Sequence, residues 1–104
     1  MNVQINYYQS NNSLNLLKLK VIQYKNVNNS LIDFGVNIIN KAYSLFDDLN
    51  GRAKYISESF DSTFPDKSGK NWNCFIFPFG STGLCLYSLS YIFYSTNKES
   101  VLIF

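Results

Sequence analysis

From Leu16 onward the chain alternates: Leu17, Leu19 and Val21 stand between Lys18, Lys20 and Ile22, and the run stops at the polar cluster Asn26 to Ser30. A period of two with one apolar side predicts a strand over Leu16 to Tyr24 with one wet face. The period then changes. Ile32, Val36, Ile39, Tyr43 and Phe46 recur at spacings of four and three, the stripe of an amphipathic helix. A second stripe of Leu31, Phe34, Ile38 and Leu45 widens the apolar surface, so this helix is expected to be buried on more than one side. Ser30 is the expected N-cap, with Asp33 in the first turn where the helix dipole favours a carboxylate. A second helix is predicted from Asp47-Asp48 to about Phe64, with Leu49, Ala53, Ile56, Phe60 and Phe64 as its stripe and Pro65 as its stop.

After a solvated loop from Asp66 to Asn71, strand periodicity returns. The predicted pieces are a strand over Asn73 to Phe79, a bend or bulge at Gly80 to Gly83, and alternation of Leu84 and Leu86 with Cys85, Tyr87 and Leu89. A strand from Tyr91 to Ser95, a short turn at Thr96-Asn97-Lys98-Glu99 and a last strand from Ser100 to Phe104 complete it. Upstream, Met1 to Asn15 is rich in Asn, Gln, Ser and Tyr. The alternation of Val3, Ile5 and Tyr7 would allow an extra strand, but this composition reads as a flexible tail. The expectation is an α+β domain at 16–104, preceded by a tail at 1–15. Two helices pack on an antiparallel sheet in the order β-α-α-β-β-β-β.

Composition narrows the function. A chain of 104 residues has room for one core, and 46% hydrophobic with 17% aromatic residues argues against global disorder. A net charge of +2 is too small for a nucleic-acid footprint, and Lys18, Lys20 and Lys25 read as the solvated side of a strand. Histidine is absent, which removes the commonest general base and metal ligand. Cys74 and Cys85 are too far apart for a Cys-x-x-Cys pair and read as free thiols in a reducing compartment. The opening residues lack the basic and apolar regions of a secretory signal, so an intracellular protein is expected.

No charged residue lies between Lys70 and Lys98. That length would suffice for a membrane span. Pro78, Gly80 and Gly83 would interrupt a helix, however, and Ser81, Thr82, Ser88, Ser90 and Ser95 dilute the hydropathy, so sheet is favoured and no membrane is expected. Catalytic arrangements are missing as well. Asp47 and Asp48 would point about 100° apart on a helix, and Cys74 has no histidine beside it. Gly80-Ser81-Thr82-Gly83 lacks the lysine of a phosphate loop, and Ser81 has no triad partners. Neither an enzyme nor a cofactor is expected. Surface recognition remains: a sheet covered on one face has an open face and open edges, which favour self-association and the addition of an extended peptide.

The blocks Phe60-Asp61, Trp72-Asn73-Cys74, Phe79-Gly80-Ser81, Tyr91-Ile92-Phe93-Tyr94 and Val101-Leu102-Ile103-Phe104, in this order after two helices, resemble the dynein light chain type 1 family. The resemblance runs from about Lys18 to Phe104. It implies a homodimer in which each protomer donates the segment from Phe79 to Tyr87 to its partner's sheet, with Asn73, Ser81, Gly83, Cys85 and Tyr87 at the dimer interface. It further implies grooves for extended peptides, lined by Phe79, Gly80, Ser81, Thr82, Leu84 and Phe93, and faced by Asp47, Leu49 and Asn50 from the start of the second helix. Clients would be the dynein intermediate chain or other proteins carrying extended linear motifs. The place of action would be the cytoplasm and cytoskeleton, in the dynein complex.

Three departures bear on that reading. The loop before Trp72 is about four residues longer than the family's Asn-Pro turn. Gln23, Tyr24, Asp47 and Asn50 stand where the family usually has Lys, Asn, Asn and Lys. Thr82 replaces a Tyr, and Leu84 and Cys85 fall near a Thr and a His. Backbone pairing needs only an open edge and is expected to survive, whereas selectivity for Thr-Gln-Thr clients is not carried over. Two rival readings are a structural assembly protein without peptide clients and a membrane-associated chain.

Overall fold

A computed structural model describes residues 17–65, 71–78 and 90–104, together with the backbone of residues 2–9. The elements are β1 (Asn2–Gln9), β2 (Lys18–Lys25), α1 (Asn29–Leu45), α2 (Leu49–Thr63), β3 (Cys74–Pro78), β4 (Tyr91–Thr96) and β5 (Glu99–Ile103). Among the described residues the five strands form one sheet in the order β1-β2-β4-β5-β3, every neighbouring pair antiparallel. This is the α+β arrangement of two helices on an antiparallel sheet that the periodicities predict.

The tail expected at 1–15 is corrected over residues 2–9. They form β1, paired with β2 from Asn2 opposite Tyr24 to Gln9 opposite Lys18, with one irregularity between Val3 and Asn6. Without β1, the outer N–H and C=O groups of β2 would form an open sheet edge; an adjacent uncharged segment supplies their partners, and this outweighs its polar composition. The strand expected after Gly83 lies outside the described residues.

Helix boundaries follow capping chemistry. The α1 cap is Asn28, whose side-chain oxygen accepts from the Leu31 N–H at 2.9 Å, so the helix begins before the expected Ser30 and Asp33 falls beyond its first turn. Asn26 turns the chain out of β2 with a φ of 52°, a left-handed conformation that Asn tolerates. Asp48 caps α2 by accepting from the Gly51 N–H at 2.8 Å. At the β4–β5 turn, Thr96 Oγ1 accepts from the N–H groups of Lys98 (2.9 Å) and Glu99 (2.8 Å).

The register sorts the sheet into two faces. Val21, Tyr94, Val101 and Ile76 form one rung, and Tyr24, Ile92, Ile103 and Cys74 another. These meet Ile32, Val36 and Ile39 of α1 and Ile56 and Phe60 of α2 in one core cluster. The Tyr94 hydroxyl donates to the Ile32 carbonyl at 2.8 Å and ties the sheet to the first turn of α1. The second apolar stripe of α1 is only partly buried: Leu45 is exposed, because the core ends at Ala42 and Tyr43.

Aromatic contacts fix the far end of α2. Phe34 meets Phe60 and Phe64 edge-on with centroids 5.1 Å apart, and Phe60 packs on Trp72 at 5.3 Å. Asp61 accepts from the Trp72 backbone N–H at 2.6 Å, and the Trp72 indole N–H donates to the Phe64 carbonyl at 2.8 Å. The start of β3 is thereby clamped to the end of α2. At the other end, buried Arg52 donates to the Phe46 carbonyl at 2.8 Å and lies 4.2 Å from the Tyr43 ring centroid. It also reaches Glu99 at 3.8 Å, and Glu99 accepts from the Tyr43 hydroxyl. This group fixes α2 against the end of α1 and the β5 turn.

Candidate functional site

The strand that follows the Trp72 clamp, β3, has no polar side chain in Cys74-Phe75-Ile76-Phe77-Pro78. Alternation sends Cys74 and Ile76 toward the helices and Phe75 and Phe77 to the opposite face. The strand is flanked by β5 on one side and stands at the end of the sheet order, so its other rim has no strand neighbour among the described residues. In an antiparallel pair only alternate backbone groups of a strand point at its partner, so the others between Cys74 and Phe77 point away from β5.

Beside this rim runs an open groove of about 530 Å³, lined by Leu49, Asn50 and Ala53 of α2 and by Cys74, Phe75, Ile76 and Phe77. Leu49, Asn50 and Ala53 share one side of the first helical turns by their spacing of three and four. Two lining side chains are unusually open to solvent for their type: Phe75 is 59% exposed and Leu49 46%. The Cys74 thiol adds no charge, since burial pushes its pKa up to about 12. Asn50 supplies the polar side chain of an otherwise apolar lining.

The second face of the sheet continues this surface. On the face away from the helices Gln23, Phe93, Leu102 and Phe75 form one rung and Lys20, Ser95, Ser100 and Phe77 the next, with Leu102, Ser95 and Ser100 buried at their middle. Phe77 and Phe93 stack with centroids 5.9 Å apart and planes 7° from parallel. They lean across β5, where Ser100 opposite Phe77 leaves room for the rings. Phe75 meets Phe104 edge-on at 5.4 Å. On the polar side, Gln23 Nε2 donates to the Tyr91 hydroxyl at 2.7 Å.

Of the residues singled out in the sequence, Leu49 and Asn50 line the groove. Asp47 is exposed between the helices and does not line it. Phe93 sits on the outward face as the partner of Phe77. Asn73 extends the β3–β5 ladder, donating to the Phe104 carbonyl at 2.6 Å and accepting from the Phe104 N–H at 3.0 Å. Phe79, Gly80, Ser81, Thr82, Gly83, Leu84, Cys85 and Tyr87 lie outside the described residues. The residues that sequence reasoning missed are Ala53 and the wall from Cys74 to Phe77. Their signal was present: a five-residue strand without a polar position has apolar side chains on both faces.

Among the described residues no three His, Cys, Asp or Glu side chains gather into a metal-binding group, and no helix is long and apolar enough to cross a membrane. Neither protein-family models nor curated proteins gave a match to this chain.

Proposed function

We propose that this chain is a non-catalytic, dynein light chain-like dimerising subunit that binds extended segments of other proteins as added strands. The observation that carries this reading is the position of β3 at the end of the sheet among the described residues, beside the apolar groove of Leu49, Asn50, Ala53 and Cys74 to Phe77. A strand rim with no strand neighbour among the described residues, bounded by apolar side chains, suits a strand from a second copy, with main-chain hydrogen bonds providing affinity and side-chain pockets selectivity. In the arrangement implied by the family resemblance, that strand is the segment from Phe79 to Tyr87, and the client lies next to it, facing Leu49 and Asn50. The outward rungs with Phe75, Phe77 and Phe93 support the pairing of two sheets. Their large aromatic side chains are the residue type that dominates interface energetics.

The same groove argues for a client preference unlike the family's. With Asn50 as its polar side chain and no lysine in the lining, it favours apolar peptide cores over polar Thr-Gln-Thr segments. A place in the dynein complex, and with it a cytoplasmic and cytoskeletal setting, is part of this proposal. The test is a titration of labelled extended peptides into the full chain, a dynein intermediate-chain-type peptide among them. Saturable binding that is lost in Asn50→Lys or Leu49→Asp supports the reading. A dimer that gives a flat response to a broad peptide library refutes the client-binding role and leaves a purely structural assembly protein.

A further inference from the structure

We propose that β1 is a self-pairing edge, along which two copies join, β1 against β1 and antiparallel, into one continuous sheet. β1 stands at the end of the sheet order, and its side away from β2 has no strand neighbour among the described residues. The strand Asn2-Val3-Gln4-Ile5-Asn6-Tyr7-Tyr8-Gln9 contains no charge, no proline and no glycine. Edge strands that stay unpaired are kept short or guarded by lysine, proline or a bulge. This one has eight residues, and its guard is a register irregularity between Val3 and Asn6.

The composition of β1 points to a second β1 as the occupant. Asn2, Gln4, Asn6 and Gln9 are amides, which both donate and accept, so identical residues can satisfy one another across the joint. Val3, Ile5, Tyr7 and Tyr8 are the β-branched and aromatic types that cross-strand pairs favour. Uncharged strands of this kind pair with themselves. Charge then makes β1 the joining edge on this side of the sheet. β2 carries Lys18, Lys20 and Lys25, and two β2 strands side by side would set lysines against lysines. With a β1 from each copy between them, the two β2 strands lie three strand spacings apart, about 14 Å. That exceeds the screening length of about 8 Å at physiological salt. Two identical edges related by a two-fold axis use each other up, so the joint itself closes. A two-strand contact without further packing is marginal, so the joint forms only near about 1 mM. It is separate from pairing along β3 and does not rest on the peptide-binding reading; where that dimer exists, β1 links one dimer to the next.

The test is sedimentation equilibrium of the full chain from about 0.1 to 1 mM, where the parent's mass is expected to rise. Tyr7 and Tyr8 lie in the continuous part of the pairing, opposite Lys20 and Leu19. Adjacent residues send their N–H groups to opposite sides. Of Tyr7→Pro and Tyr8→Pro, one therefore removes an N–H that faces β2 and the other one that faces away. Hydrogen exchange of the Lys18–Lys25 amides tells them apart, since the outer variant keeps the parent's protection. That variant loses the bond from both copies at once and is expected to lower the association constant about tenfold or more. Ile5→Lys is the second check and decides alone if both prolines speed exchange. It brings two lysines close across the joint, so association should fall in about 0.1 M salt and recover in about 1 M, where screening shortens to about 3 Å. A constant parent mass leaves the edge to another chain or to none and overturns the proposal. So does a rise that persists in the outer proline variant or in Ile5→Lys at low salt, which would belong to another surface.

Discussion

Phe77 and Phe93 stack nearly parallel across β5, 5.9 Å between centroids, on the sheet face that neither helix covers. Two rings held rigid against each other on an outward face form an anchor of low entropic cost for a second copy. Phe77→Ala is expected to weaken self-association about 10- to 30-fold, read as the dissociation constant in sedimentation equilibrium. A thermal melt separates this from any loss of fold stability. An unchanged dissociation constant would remove this face from the interface.

Gly35 lies against Tyr94 so closely that a Cβ built there would sit 2.0 Å from the hydroxyl oxygen and 2.8 Å from the ring carbon bearing it. Gly35→Ala must displace Tyr94 from a fully packed site and is expected to cost about 1–3 kcal/mol. Tyr94→Phe keeps the ring but leaves the Ile32 carbonyl without this donor, at about 1 kcal/mol. Urea unfolding of both variants checks the order; a neutral Gly35→Ala would contradict the packing.

Arg52 joins three elements through Phe46, Tyr43 and Glu99. Arg52→Met retains much of the side-chain volume but strands a half-buried carboxylate. A loss of about 2 kcal/mol is expected, below the full cost of breaking a wholly buried pair because Glu99 retains some solvent. Glu99→Gln in the same background should recover part of it, and urea midpoints of the single and double variants measure the coupling.

The Cys74 thiol, which ionises near 9.0 in the open, is held neutral to about 12 by burial. The folded-state value is raised, so its contribution to stability is whole below pH 9 and is lost as pH climbs toward 12. Cys74→Ala should remove that part of the alkaline fall in stability. In a Cys85→Ser background, alkylation of native Cys74 at pH 8 should be slower by about tenfold or more than in urea. Equal rates would contradict the burial.

Much of the fold was legible because it is written in periods. The three-four stripe of Ile32, Val36 and Ile39 and the alternation of Leu19 and Val21 both point into the core. The cap of α1 is Asn28 and not the expected Ser30, because Asn28, Asn29 and Ser30 are all competent caps and only the position of the first buried turn chooses among them. Residues 2–9 have the composition of a tail, and their pairing as β1 is decided by the edge of β2, a tertiary fact absent from local composition. The groove was half legible. Leu49 and Asn50 follow from the start of α2, but Ala53 and the β3 wall join them only once the Trp72 clamp sets the strand against the helix.

The chain contains no histidine, and Asn73, exposed at the end of the β3–β5 ladder, cannot titrate. Protonation near that position therefore has no group to act on between pH 7 and 5. Self-association is expected to be equal at both, as measured by sedimentation velocity. A clear shift to monomer above pH 5 would contradict this.

Pairing of a second copy along the outer rim of β3 is the centre of this account, and the mass of the full chain in solution tests it most directly. Sedimentation equilibrium from about 1 to 100 μM, the range that reports micromolar association, should give twice the 12.0 kDa chain mass. A mass of one chain throughout that range would contradict it.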